Sequence, residues 1–162
     1  MDLQLNGHRA LITGGSRGIG LAVGRALTAE GVDVALVARG EAEVVRAAEE
    51  LTAASGRNVV GIAADTGEDA SVAAMATAAA EQLGPVDILV NCAATPNTGP
   101  PIPDEALEDE INVKVRGYLR CARALAPGMV ERGWGRIVNV SGLAARSTGS
   151  ITGSVRNVAV AA

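Results

Sequence analysis

Thr13-Gly14-Gly15-Ser16-Arg17-Gly18-Ile19-Gly20 lies between a short apolar run at 10–13 and an Ala-rich segment at 19–30 that reads as a helix. A glycine-rich turn joining a strand to a helix is how a parallel α/β domain offers backbone N–H groups to a phosphate. Gly14 lets the chain turn sharply, and Gly18 removes a Cβ where a pyrophosphate must approach. Gly20 permits close packing of the helix on the sheet. The helix N-terminus adds unpaired N–H groups and partial positive charge. We therefore expect Gly14, Ser16, Arg17, Gly18, Ile19 and Gly20 to hold a dinucleotide phosphate. The plainer alternative is a Gly-rich turn without a ligand; the agreement of strand, loop and helix around it favours the ligand.

The alternation continues outward from this loop. Further strands are predicted at 32–38, 59–64, 86–91 and 136–140, and helices at 41–55, 68–83 and 104–131. Continuously apolar strands separated by helices imply a parallel sheet covered on both faces. Gly31, Gly56 and Gly84-Pro85 fall where helices should stop. The helix over 104–131 carries a stripe of Leu107, Ile111, Val115, Tyr118, Ala122, Leu125 and Met129, spaced for one buried face. Pro127 should bend it near its end. The segment 95–103 holds four prolines and reads as a loop. The fold class is thus α/β, a doubly wound parallel sheet, in one dinucleotide-binding domain over 1–162. Such folds usually carry six strands. Residues 147–162 read as the opening of another helix with no strand after it. We therefore expect a domain incomplete at its C-terminus, with C-terminal strands missing through truncation, proteolysis or an incomplete record.

Composition narrows the function. Hydrophobic residues make up 48% of the 162, yet no apolar run approaches bilayer-spanning length. No basic start precedes an apolar region at the N-terminus, so no secretory signal is expected. Cys92 and Cys121 have neither metal-type nor disulfide-scaffold spacing, which suits a cytoplasmic protein. The net charge is −4 and the aromatics are only Tyr118 and Trp134, which argues against nucleic acid. The carboxylates Asp104, Glu105, Glu108, Asp109 and Glu110 suit a helix N-terminus and lack the His or Cys partners of a metal site. His8 has no partner cluster in the sequence and is expected at the surface. Cys92 and Cys121 are expected to serve packing.

Thr13 to Gly20 resembles the TGxxxGIG motif of the short-chain dehydrogenase/reductase family. Asp65-Thr66 is similar to the family's acidic residue after the third strand, which contacts adenine. Asn91-Cys92-Ala93-Ala94 resembles its NNAG motif, with Cys92 in place of the second Asn. Gly133 to Ser141 resembles its approach to the fifth strand. The resemblance runs through nearly the whole chain. It implies a Rossmann-type fold, hydride transfer between a nicotinamide and a carbonyl or alcohol, and cofactor contacts from Asp65, Thr66, Asn91 and Ala93. It also implies a homodimer or homotetramer of the complete protein, built through its fourth and fifth helices.

The choice of nucleotide turns on the end of the second strand. NAD-binding members of such folds usually place Asp or Glu about 20 residues past the loop, on the ribose 2′-OH. Here that place holds Ala38 and Arg39, and Asp33 lies at the strand's other end. Arg39 and Arg17 together suit a 2′-phosphate. NADP(H) is the expected cofactor, against the alternative that both are solvated surface arginines.

The family's catalytic residues are an Asn, a Ser, a Tyr and a Lys four residues after the Tyr. Anchored on Gly117, Pro127, Trp134 and Gly135, the Asn position falls on Lys114, and the Ser position on Gly142, beside Ser141. The Tyr and Lys positions fall on Val155 and Ala159. No Tyr follows Tyr118 and no Lys follows Lys114, so local gaps restore no YxxxK pair. Valine carries no ionisable proton, so the usual acid–base step lacks its donor. No catalytic residue is assigned. Lys114, the only lysine, is expected to snorkel to solvent along the helix edge. The alternative is that it points into the pocket as a substitute acid, assisted by Ser141 or Ser154. Three functions follow: an NADP(H)-dependent oxidoreductase on an unidentified carbonyl or alcohol, a catalytically inactive NADP(H)-binding sensor or partner subunit, and a scaffold with a vestigial site.

Overall fold

A computed structural model of the chain describes residues 3–95, 104–142 and 160. Val155, Ala159, Ser154 and, apart from residue 160, the helix expected over 147–162 fall outside the described residues, as does nearly all of the proline-rich loop. Five strands run β1 (Arg9–Thr13), β2 (Asp33–Ala38), β3 (Val59–Ala63), β4 (Ile88–Asn91) and β5 (Arg136–Asn139). They form one parallel sheet in the order β3-β2-β1-β4-β5. The helices between them are α1 (Gly18–Ala29), α2 (Glu41–Ser55), α3 (Asp69–Leu83), α4 (Asp104–Glu110) and α5 (Gly117–Glu131), with a π-helical segment, Ile111–Arg116, joining the last two.

Both faces of the sheet are covered because successive strand residues point opposite ways. Ala10 and Ile12 of β1 join Val34 and Leu36 of β2 in a core closed by Leu21, Val23 and Leu27 of α1 and Val44, Ala47 and Leu51 of α2. Leu11, Ala35 and Val37 face the other way, onto Val72 and Met75 of α3 and Cys121, Leu125 and Met129 of α5. This explains the continuously apolar inner strands β1, β2 and β4, whose central residues are inside whichever way they point. Edge strand β5 differs, with Ile137 and Val138 exposed.

The helix expected over 104–131 is not one α-helix. Its π-helical stretch bonds i to i+5, with the Gly117 N–H donating to the Asn112 carbonyl. That carbonyl also accepts from the Arg120 guanidinium at 3.2 Å, which Asp69 anchors at 2.8 Å. The Asn112 side chain meanwhile donates to the Gly67 carbonyl at 3.2 Å. The loop between β3 and α3, directly through Gly67, and the start of α3, indirectly through Asp69 and Arg120, thus hold the start of the widened turn at Asn112. The extra residues per turn rotate the upstream face. Tyr118, Leu125 and Met129 are buried as the stripe requires, but Glu110 and Lys114 are buried above them, whereas Leu107, Ile111 and Val115 are only half-buried.

His8 also departs from expectation. It is half-buried, stacked on Trp134 with centroids 4.0 Å apart, and its Nδ1 lies 3.5 Å from Asp87. Asp87 further accepts the Arg9 backbone N–H at 3.1 Å and pairs with Arg132 at 3.3 Å. These contacts tie the entrance of β1 to β4 and to the turn before β5, joining residues far apart in sequence.

Candidate cofactor site

At the C-terminal edge of the sheet, β1 leads back to β2 on one side while its other neighbour is β4. Ligands of doubly wound sheets bind at such a reversal of strand order. The gap is held open and shaped by Thr13, whose buried hydroxyl accepts the backbone N–H of Cys92 at 3.0 Å and of Ala93 at 3.1 Å. Gly14 turns away at φ +69, and a Cβ there would sit 3.0 Å from the Ala93 Cα and the Cys92 carbonyl. A Cβ at Gly20 would run into the Gly14 carbonyl. The tight approach made by Gly20 is therefore to the loop itself rather than to the sheet; Gly24, one turn on, is the residue against Leu36 and Ile12.

A cavity of about 680 Å³ opens over this loop. Its lining includes Gly14, Ser16, Arg17, Ile19 and Gly20 from the loop and first turn of α1, Arg39 after β2, Asp65 and Thr66 after β3, and Ala93 after β4. These nine expected residues are brought together. Two are not. Gly18, at φ +57, is exposed outside the lining. Asn91 is fully buried, and its amide donates to the Asn139 side chain at 2.9 Å and the Tyr118 carbonyl at 3.3 Å. Its side chain binds strand to strand and helix, so it shapes the site without reaching the cavity. Glu43 and Arg46 of α2 line the cavity as well, and the motif reading missed them. Their i,i+3 spacing just past Arg39 was the available signal.

α1 starts without a capping side chain, and its first turn contains no acidic residue. α2 and α3 carry Glu41 and Glu43, and Asp69, in theirs. The positive end of α1 is thus left without side-chain compensation, at the wall of the cavity.

Lys114 does not reach solvent as expected. It is 7% exposed, because the π-helical turn directs it inward. Its charge reaches Cys92, which lines the cavity: burial raises the Cys92 thiol above its ordinary range, and Lys114 opposes the shift. Cys121, packed in the core, is pushed to about 11 by burial, partly offset by Arg120. Both thiols are therefore neutral near pH 7, in keeping with packing roles.

The Tyr118 hydroxyl lies 3.0 Å from the Val140 carbonyl and 3.3 Å from the Ala93 carbonyl, linking the ends of β5 and β4 beside the cavity. Tyr118→Phe should lose about 1 kcal/mol of stability in denaturant titration. A variant as stable as wild type would show that these contacts carry no weight.

A doubly wound parallel sheet with a glycine loop at its switch point defines the Rossmann-type class of α/β proteins. Within that class, the profile of the short chain dehydrogenase family matches residues 8–155, and the chain belongs to that family. A short chain dehydrogenase of Pseudocercospora fijiensis is 37% identical over 147 residues, 88% of this chain and 47% of the relative. The L-sorbose reductase of Gluconobacter frateurii, solved with NADPH and L-sorbose, superposes with a TM-score of 0.92 at 32% identity, over 99% of this chain and 62% of its own. A xylitol dehydrogenase bound to NAD+ shares the fold, with a TM-score of 0.90 at 22% identity, over 97% of this chain and 62% of its own. The chain thus spans about half the length of the curated relative and about three-fifths of these two solved structures. Among the described residues, no helix is long and apolar enough to cross a membrane.

Proposed function

We propose that this chain forms the coenzyme-binding part of an NADP(H)-dependent oxidoreductase acting on a carbonyl or alcohol. One observation carries the reading: the uncapped, acid-free start of α1 borders a cavity that Arg17 and Arg39 share. The residues present fit a dinucleotide. A Cβ at Gly14 or Gly20 would collide with the backbone that shapes the loop, and no carboxylate stands at the C-terminal end of β2.

In this reading the N–H groups at the start of α1 hold the pyrophosphate, and Arg17 and Arg39 hold the 2′-phosphate. Asp65 and Thr66 border the adenine, and Ala93 lies towards the nicotinamide. The bound nicotinamide supplies or accepts the hydride. Lys114 is buried near the β4 end, within electrostatic reach of Cys92. Calorimetric titration with NADPH and NADH tests the assignment. NADPH should bind at least about tenfold more tightly, as charge-assisted contacts to the extra phosphate require. Equal affinity removes the 2′-phosphate assignment, and no binding of either nucleotide removes the dinucleotide site.

A second reading, a non-catalytic NADP(H)-binding subunit, rests on the valine at position 155, where the family resemblance places its tyrosine, and on the engagement of Tyr118 with two backbone carbonyls. NADPH oxidation across a panel of ketones and aldehydes separates the two: turnover supports the oxidoreductase, and binding without turnover supports the subunit.

A further inference from the structure

The cavity wall nearest Arg39 carries an acid that the coenzyme reading leaves unused. Glu43 lines the cavity with Arg17, Arg39 and Arg46. Its carboxylate folds back over Gly40, the residue before α2, where it would collide with any Cβ. Gly40 has φ −79 and ψ 109, a conformation open to every residue. What glycine provides at 40 is therefore room for the carboxylate rather than backbone freedom. Among the described residues, Glu43 makes no ion pair with any of the three arginines, and Arg46 instead lies 3.9 Å from Glu50 in an exposed pair. The acid lies in the first turn of α2, where the helix dipole favours a negative charge. It is thus an anion lining the same cavity as the three arginines.

We propose that Glu43 is a specificity-determining residue that restrains binding of 2′-phosphorylated nucleotides. This rests on the NADP(H) reading above and adds its counterweight. A 2′-phosphate brings about −1.5 to −2 charges into the cavity. The arginines attract it, while the Glu43 carboxylate repels it. A 2′-hydroxyl brings no charge, so NADH binding is indifferent to Glu43. Selectivity is then set by the balance of three guanidiniums against one carboxylate.

The test is calorimetric titration of the 162-residue chain and its variants with NADPH, adenosine 2′,5′-bisphosphate and NADH, at low and high salt. Glu43→Gln should tighten NADPH and the bisphosphate about five- to tenfold, with NADH changed less than about twofold. The gain should shrink at high salt. Glu41→Gln removes the same charge from the same helical turn, outside the cavity lining, and should leave all three within about twofold of wild type. The proposal is overturned if Glu43→Gln leaves NADPH affinity unchanged, if it weakens NADH binding (the mark of a carboxylate that accepts a ribose hydroxyl), or if Glu41→Gln has the same effect. Those outcomes leave the coenzyme assignment standing. Wild-type chain that binds neither NADPH nor the bisphosphate overturns both.

Discussion

Gly20→Ala is expected to abolish nucleotide binding and to cost several kcal/mol of stability, because its methyl group would run into the Gly14 carbonyl. The loop has nowhere to retreat. Gly14 is already wedged against Ala93 and Cys92, and a Cβ at Gly15 would lie 3.0 Å from both the Ile12 carbonyl and a Leu36 methyl. Relief therefore requires backbone shifts in β1, in the loop after β4 and in α1 together. Overpacking of this kind typically costs about 1–3 kcal/mol when side chains can yield, and more when backbone must. Displacing the loop also misdirects the N–H groups at the start of α1. The variant should show a clearly lowered midpoint in thermal or denaturant unfolding and at least about a 100-fold loss of NADPH affinity. Wild-type stability together with wild-type affinity would refute the geometry.

The second large effect concerns Arg17 and Arg39. Replacing both by Ala should weaken NADPH binding about 100-fold, while NADH changes by no more than about threefold. Each guanidinium is exposed without ligand, so each is credited with about tenfold, near the lower end for charge-assisted hydrogen bonds. Each single variant should show about half the free-energy loss, and the wild-type preference for NADPH should decline as salt rises. A double variant that loses NADH and NADPH equally would mean that the arginines grip the pyrophosphate or merely support the loop.

The inner strands were legible because their runs are apolar on both faces, as a sheet covered on both sides requires. Helix stops were legible where glycine was needed: Gly31, Gly56 and Gly84 all adopt positive φ. The glycine loop, Arg39, Asp65, Thr66 and Ala93 could be placed together because parallel strands carry their following loops to one edge. What escaped depended on phase or on distant partners. A 3.6-residue period and a π-helical turn are hard to separate over six residues, so Ile111 and Val115 were expected inward and Lys114 outward. His8 gave no hint of Trp134 or Asp87, which only tertiary folding brings to it. Asn91 fell in a motif that suggested ligand contact, and the motif gave no sign that its amide N–H would also donate to Asn139 and Tyr118, far along the chain. Glu43 and Arg46 lay about one and two helical turns past the expected cation, on a helix read only for its role in the fold.

The widened turn over Ile111–Arg116 decides which residues upstream of it face the interior, and Val113 within it lines the cavity. Closing that ladder to regular i→i+4 bonding with every residue kept would turn Lys114 and Glu110 outward and bring Ile111 and Val115 in their place. Loss of one residue from the turn would do the opposite: the bulge would vanish and the upstream face would stay as it is, so a descendant helix could shed the irregularity while keeping its buried charges.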